Sequence, residues 1–83
     1  MGPYRVHFTV AAQGQLPWLS RREQTTLDRE LKELARLAGL RQWLSPDECQ
    51  EPIHFWVGRY EVIYQLEPSA RTLRVTALRG PAR

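Results

Sequence analysis

The sequence holds a single cysteine, a single methionine and, among twelve basic residues, a single lysine, Lys32. With Cys49 alone, no disulfide can close within the chain, and no adjacent histidine activates its thiol. Cys49, His7 and His54 lack any ligand-pair spacing, so neither a metal nor another cofactor is expected. No stretch approaches the roughly 20 apolar residues that span a bilayer. Met1-Gly2-Pro3-Tyr4 also lacks the apolar run of a signal peptide. These absences exclude the membrane as a partner and make the cytoplasm the expected location. Repeats, low-complexity tracts and linkers are missing too.

What is present is short and basic. At 83 residues the chain has no room for a second core, so residues 1–83 are expected to form a single domain. Domains this small often need outside help to be secure, and without a disulfide or metal the expected source is a partner chain or a homodimer. The formal net charge is +3, carried almost wholly by arginine, whose planar fork suits phosphate and carboxylate. From Arg59 onward, five arginines (Arg59, Arg71, Arg74, Arg79 and Arg83) face only Glu61 and Glu67, whereas Asp47, Glu48 and Glu51 make the preceding segment acidic.

Tyr4, Val6, Phe8 and Val10 alternate with Arg5, His7 and Thr9, the period-two pattern of a strand with one buried face. Ala11-Ala12-Gln13-Gly14-Gln15-Leu16 breaks the alternation, and Leu16-Pro17-Trp18-Leu19 reads as a packed connector, a short helical turn or a loop. Ser20-Arg21-Arg22-Glu23 is a capping box that opens a helix over 23–37. Leu27, Leu31, Leu34 and Leu37 supply its apolar stripe, Asp28 with Lys32 and Arg29 with Glu33 its exposed ion pairs, and Gly39 a left-handed stop. Ser45-Pro46-Asp47-Glu48 repeats the capping signal and predicts a turn or a very short helix.

The second half reads as a meander. Ile53-His54-Phe55-Trp56-Val57 is a strand, Gly58-Arg59 a two-residue turn with glycine first, and 60–67 the returning strand. That register pairs Val57 with Tyr60, Phe55 with Val62 and Ile53 with Tyr64 on a core face. It leaves His54, Trp56, Glu61, Ile63 and Gln65 on the other. Pro68-Ser69 marks a second turn, and 72–78 is a third strand with Leu73, Val75 and Ala77 inward. Residues 80–83 are expected to fray. The plan is α+β: strand, helix, then a three-stranded meander.

The run Val57-Gly58-Arg59-Tyr60-Glu61-Val62-Ile63-Tyr64, followed by Ala70-Arg71-Thr72-Leu73-Arg74-Val75, resembles the RelE/ParE toxins of bacterial toxin–antitoxin pairs. Phe8-Thr9 before Ala11-Ala12 is similar to the family's opening strand, and the resemblance covers residues 4–79. It implies a RelE/ParE-like fold, with an N-terminal strand and helix packed on an antiparallel sheet that ends in the meander. It also implies a cognate antitoxin-type partner, with the ribosome and messenger RNA as targets. In the RelE branch, RNA cleavage rests on sheet arginines and lysines that hold the scissile phosphate, with a late tyrosine or another general base. Relatives inhibit DNA gyrase without that chemistry, so the fold does not select the target.

Three departures from the family pattern stand out. Glu61 follows Tyr60 where arginine is usual, His54 and Trp56 replace basic residues of the preceding strand, and the basic tail reads only Arg79-Gly80-Pro81-Ala82-Arg83. The resemblance therefore implies a toxin-type protein acting on translation with degenerate catalytic residues, and no residue is assigned a catalytic role. Arg59, Arg71, Arg74, Arg79 and Arg83 are the candidates for RNA or phosphate, and Tyr60 and Tyr64 are read as core. His54, Trp56, Glu61 and Ile63 are the candidates for a protein partner. The alternative is a non-catalytic interaction module that keeps the fold and binds a protein through that sheet face.

Overall fold

The computed structural model describes residues 3–40 and 52–80. Strand β1 spans Arg5–Phe8 and stops short of the alternation's end because Thr9 turns the chain. The Thr9 hydroxyl accepts from the Ala12 amide at 3.2 Å and donates to the Thr76 carbonyl at 3.1 Å, so one side chain caps a helix and ties it to a distant strand. Helix α1, Val10–Gln15, is the result, and it was not expected from the sequence. Val10 consequently leaves the core face predicted for it and lies 88% exposed as the first residue of α1. A 3₁₀ turn over Leu16–Trp18 supplies the expected connector.

Helix α2 runs Arg21–Leu40, longer at both ends than the spacing predicts. Its capping box is complete: the Ser20 hydroxyl accepts from the Glu23 amide at 3.1 Å, and the Glu23 carboxylate accepts from the Ser20 amide at 2.8 Å. Leu27 and Leu31 are buried, yet Leu37 is 46% exposed. Each three-residue step falls about 60° short of a full turn, so the leucine stripe drifts off the core. Ala35 and Ala38, closer in angle to Leu31, take over the buried face. Gly39 is helical and buried, not the left-handed stop. Asp28 and Lys32 pair at 2.9 Å as expected. Glu33 instead pairs with Arg36 at 2.5 Å, and that hydrogen bond lowers its carboxyl pKa.

The sheet has order β1-β4-β3-β2, where β2 is Ile53–Val57, β3 Tyr60–Glu67 and β4 Thr72–Arg79. The hairpin register matches the sequence reading throughout: Val57 with Tyr60, Phe55 with Val62, Ile53 with Tyr64. Gly58 has φ +60 and Arg59 does not share it, the backbone of a two-residue turn with glycine first. The meander is antiparallel, but β1 joins it parallel to β4, which makes the sheet mixed.

One irregularity re-aims the end of β4. Ile63 pairs with Ala77 and Tyr64 with Val75, leaving Thr76 as an extra residue at a bulge. The Thr76 hydroxyl donates to the Ile63 carbonyl at 3.2 Å. Past the bulge the faces exchange: Ala77, expected inward, turns outward, and Leu78 becomes the buried residue. Both helices lie on the inner face, where Leu27, Leu31, Val62, Leu66, Leu73, Val75 and Leu78 share one core. Phe55 and Tyr64 meet edge to face at 5.7 Å, and burial pushes the Tyr64 phenol above its usual pKa. The turn expected at Ser45-Pro46-Asp47-Glu48, Cys49 and Arg83 lie outside the described residues.

Candidate functional site

Among the described residues no helix lies on the outer face of the sheet, and every second residue of the four strands forms one surface. Its cross-strand rows follow from register: His7 beside Arg74 and Gln65; Ala77 beside Ile63 and His54; Arg79 beside Glu61 and Trp56. Without the bulge Arg79 would share the face of Leu73 and Val75 and point into the core. The extra residue at Thr76 brings it across from Glu61.

Glu61 is the centre of this surface. Its Oε2 lies 2.7 Å from His54 Nδ1 and its Oε1 lies 4.0 Å from Arg79 Nη1. His54 sits diagonally across the hairpin, two residues from the direct partner Trp56, a separation that long side chains bridge. The Glu61 side chain is 19% exposed, against 44% for His54 and 71% for Arg79, so the carboxylate is sheltered while its partners face solvent. With Nδ1 turned to the carboxylate, Nε2 is the imidazole nitrogen left to meet a ligand. At the other end of the face Arg74 pairs with Glu67.

The partner-binding candidates are gathered, with one difference. His54, Trp56 and Glu61 share the outer face, and Trp56 is 66% exposed. Ile63 occupies that face too, but at 7% exposure it is floor and not contact surface, because it lies on a central strand flanked by His54 and Ala77.

The arginine candidates are dispersed. Arg71 immediately precedes β4 and Arg79 is its last residue, so the two stand at opposite ends of the strand, roughly 20–26 Å apart. Arg71 adopts φ +47, its carbonyl accepts from the Arg5 amide at 2.8 Å, and its guanidinium lies 5.2 Å from the centre of the Tyr4 ring. That half-buried residue anchors β1 to the turn before β4. Arg59 projects from the hairpin turn at the end of the sheet where Arg79 lies. The sequence reading passed over Arg5, which joins His7 and Arg74 on the outer face through the parallel β1–β4 pairing. Strand parity marked Arg5 as facing away from the core, but only the topology shows which strand it borders.

Chemically, the cluster offers a ligand one imidazole nitrogen of His54 and the exposed guanidinium of Arg79. No group of three or more histidine, cysteine or acidic side chains among the described residues could hold a metal. A depression of about 490 Å³ between β1 and α2, bordered by Tyr4, Val6, Ala35 and the Asp28–Lys32 pair, lies on the helix side of the sheet. No helix in the described residues is long and apolar enough to cross a membrane.

A long capped helix and a short one on one face of a β1-β4-β3-β2 sheet make up the fold of the RelE toxins. The chain is similar to a chain of the RelBE2 toxin–antitoxin complex of Mycobacterium tuberculosis, with a TM-score of 0.70, 20% identity and coverage of 100% of this chain and 97% of that one. It is similar to the isolated Escherichia coli RelE toxin at TM-score 0.68, 19% identity and 96% and 86% coverage. The archaeal RelE–RelB complex of Pyrococcus horikoshii gives 0.64, 17%, and 98% of both chains. No protein-family model and no curated protein sequence matches the chain.

Proposed function

We propose that the chain is the toxin-type member of a toxin–antitoxin pair, directed at translation or messenger RNA, and that it does not cleave RNA by RelE-type chemistry. The observation that carries this reading is Glu61, which stands where the resembled hairpin has arginine and engages both His54 and Arg79. Cleavage of a phosphodiester needs oriented cations where negative charge develops, and one lost donor commonly costs about 3–4 kcal/mol of transition-state stabilisation. Here a carboxylate replaces the donor, and it lies 4.0 Å from the guanidinium of Arg79. RNA association then rests on few scattered arginines and falls steeply as salt rises.

The solved relatives from M. tuberculosis and P. horikoshii are toxin–antitoxin complexes, which supports a cognate antitoxin-type protein as partner; the cytoplasm is the location we infer for the pair. Exposed Trp56 favours a second reading, a non-catalytic module that binds a protein through the outer face. Inducible expression in a bacterial host, with growth and translation followed, separates the two. The first reading expects the natural chain to slow both and Trp56→Ala to weaken the effect. Normal growth and translation at full expression, together with Trp56-dependent retention of a protein partner, would decide for the second.

A further inference from the structure

The two edges of the sheet are guarded differently. Edge strand β1 is four residues long and carries Arg5 and His7 on its outer face. Beyond its end α1 covers the flank of β4, where the Gln15 side-chain oxygen accepts from the Leu78 amide at 2.7 Å. Strand β2, at the opposite edge, has no charged side chain from Ile53 to Val57 unless His54 is protonated, no internal proline and no bulge. Those are the devices that normally keep an edge from pairing with another strand.

Hairpin geometry specifies what β2 presents. Val57 and Tyr60 close a two-residue turn, so they exchange ladder hydrogen bonds, and the alternation gives Phe55 and Ile53 the same orientation. The N–H and C=O groups of His54 and Trp56 therefore point away from β3, toward an edge that no described strand pairs.

We propose that this edge pairs with β2 of a second copy of the chain, antiparallel about Phe55, joining two four-stranded sheets into one. The register is self-complementary. On the inner face Phe55 meets its own copy and Ile53 meets the second copy's Val57, which continues the apolar layer and covers Ile53 and Phe55, both only half-buried in the single chain. On the outer face Trp56 lies against the second copy's His54. His54 and Trp56 of the two copies form two hydrogen-bonded pairs with two bonds each, and no like charges oppose one another. A foreign strand would have to match this alternation, whereas the chain's own β2 matches it by symmetry.

The experiment is the mass of the purified full chain by light scattering across a concentration series. The expected mass rises toward twice 9.7 kDa. Trp56→Pro removes an amide that points outward and no bond to β3, so it should return the mass to one chain with the circular dichroism spectrum and urea midpoint retained. If proline unfolds the chain, Trp56→Lys provides the same comparison through an edge charge. Phe55→Cys in a Cys49→Ser background places two thiols at a non-hydrogen-bonded pair, about 4.5 Å between Cα atoms and within disulfide reach. Oxidation should then give a cross-linked dimer. A single-chain mass at every concentration overturns the proposal, and so does a dimer that persists in the folded edge variant or fails to cross-link. Pairing of this edge only with an added antitoxin-type strand also overturns it.

Discussion

Along β3, Val62, Tyr64 and Leu66 turn toward the helices and are buried, whereas Glu61, Gln65 and Glu67 turn the other way and stay partly open. The two faces of one strand obey different constraints. Inward, position is decided by apolar area removed from water and by close packing, so a substitution is felt at once. Outward, it is decided by which charges find each other across strands, and exposed pairs contribute little to stability while setting what the surface can bind. The core and the proposed site thus lie on opposite sides of the same eight residues.

The comparison is sharpest where each face is cut. Leu73, wholly buried in the core, should cost about 2–5 kcal/mol when replaced by alanine, read from the urea midpoint. A loss under about 1 kcal/mol, the scale of a surface change, would mean that the inner face is not close-packed. At the hairpin, Gly58→Ala forces a side chain onto φ +60 and brings its Cβ to 3.0 Å from the Glu23 carboxylate, so a loss of about 1 kcal/mol or more is expected. An unchanged midpoint would show that the turn relaxes freely. On the outer face Glu61→Gln should change stability by less than about 1 kcal/mol. A larger loss would make Glu61 a structural residue and erase the contrast between the faces.

The inner face was the more legible in sequence. Alternation in 53–57 and 60–67, with Gly58-Arg59 between, specifies the hairpin register because a slip of one residue would turn the core-face side chains of one strand outward. The capping box at Ser20 and Glu23 likewise has a local cause. Helix α1 was not legible: six residues with no apolar stripe carry no periodic signal, and it is held by Thr9 and Gln15 reaching to β4. The exchange of Ala77 for Leu78 was hidden for a related reason, since the bulge at Thr76 depends on neighbouring strands and leaves no mark in local composition. Alanine signals weakly, so Ala35 and Ala38 were overlooked in favour of Leu37. For the candidate site, parity placed His54, Trp56 and Glu61 together. The pairing of Glu61 with His54 and Arg79 required the diagonal geometry and the bulge.

Glu61, seated between His54 and Arg79, is proposed to make the outer face a surface that binds without cutting. Messenger RNA programmed on ribosomes and incubated with the purified protein, with new 5′ ends mapped, tests it directly. The natural chain should produce no site-selective ends. Glu61→Arg should raise RNA association while cutting stays feeble, because His54 and Trp56 still stand where the resembled family has basic residues. Efficient, site-selective cutting by the natural chain that disappears in His54→Ala or Arg79→Ala would contradict the claim and make the cluster a rearranged active site.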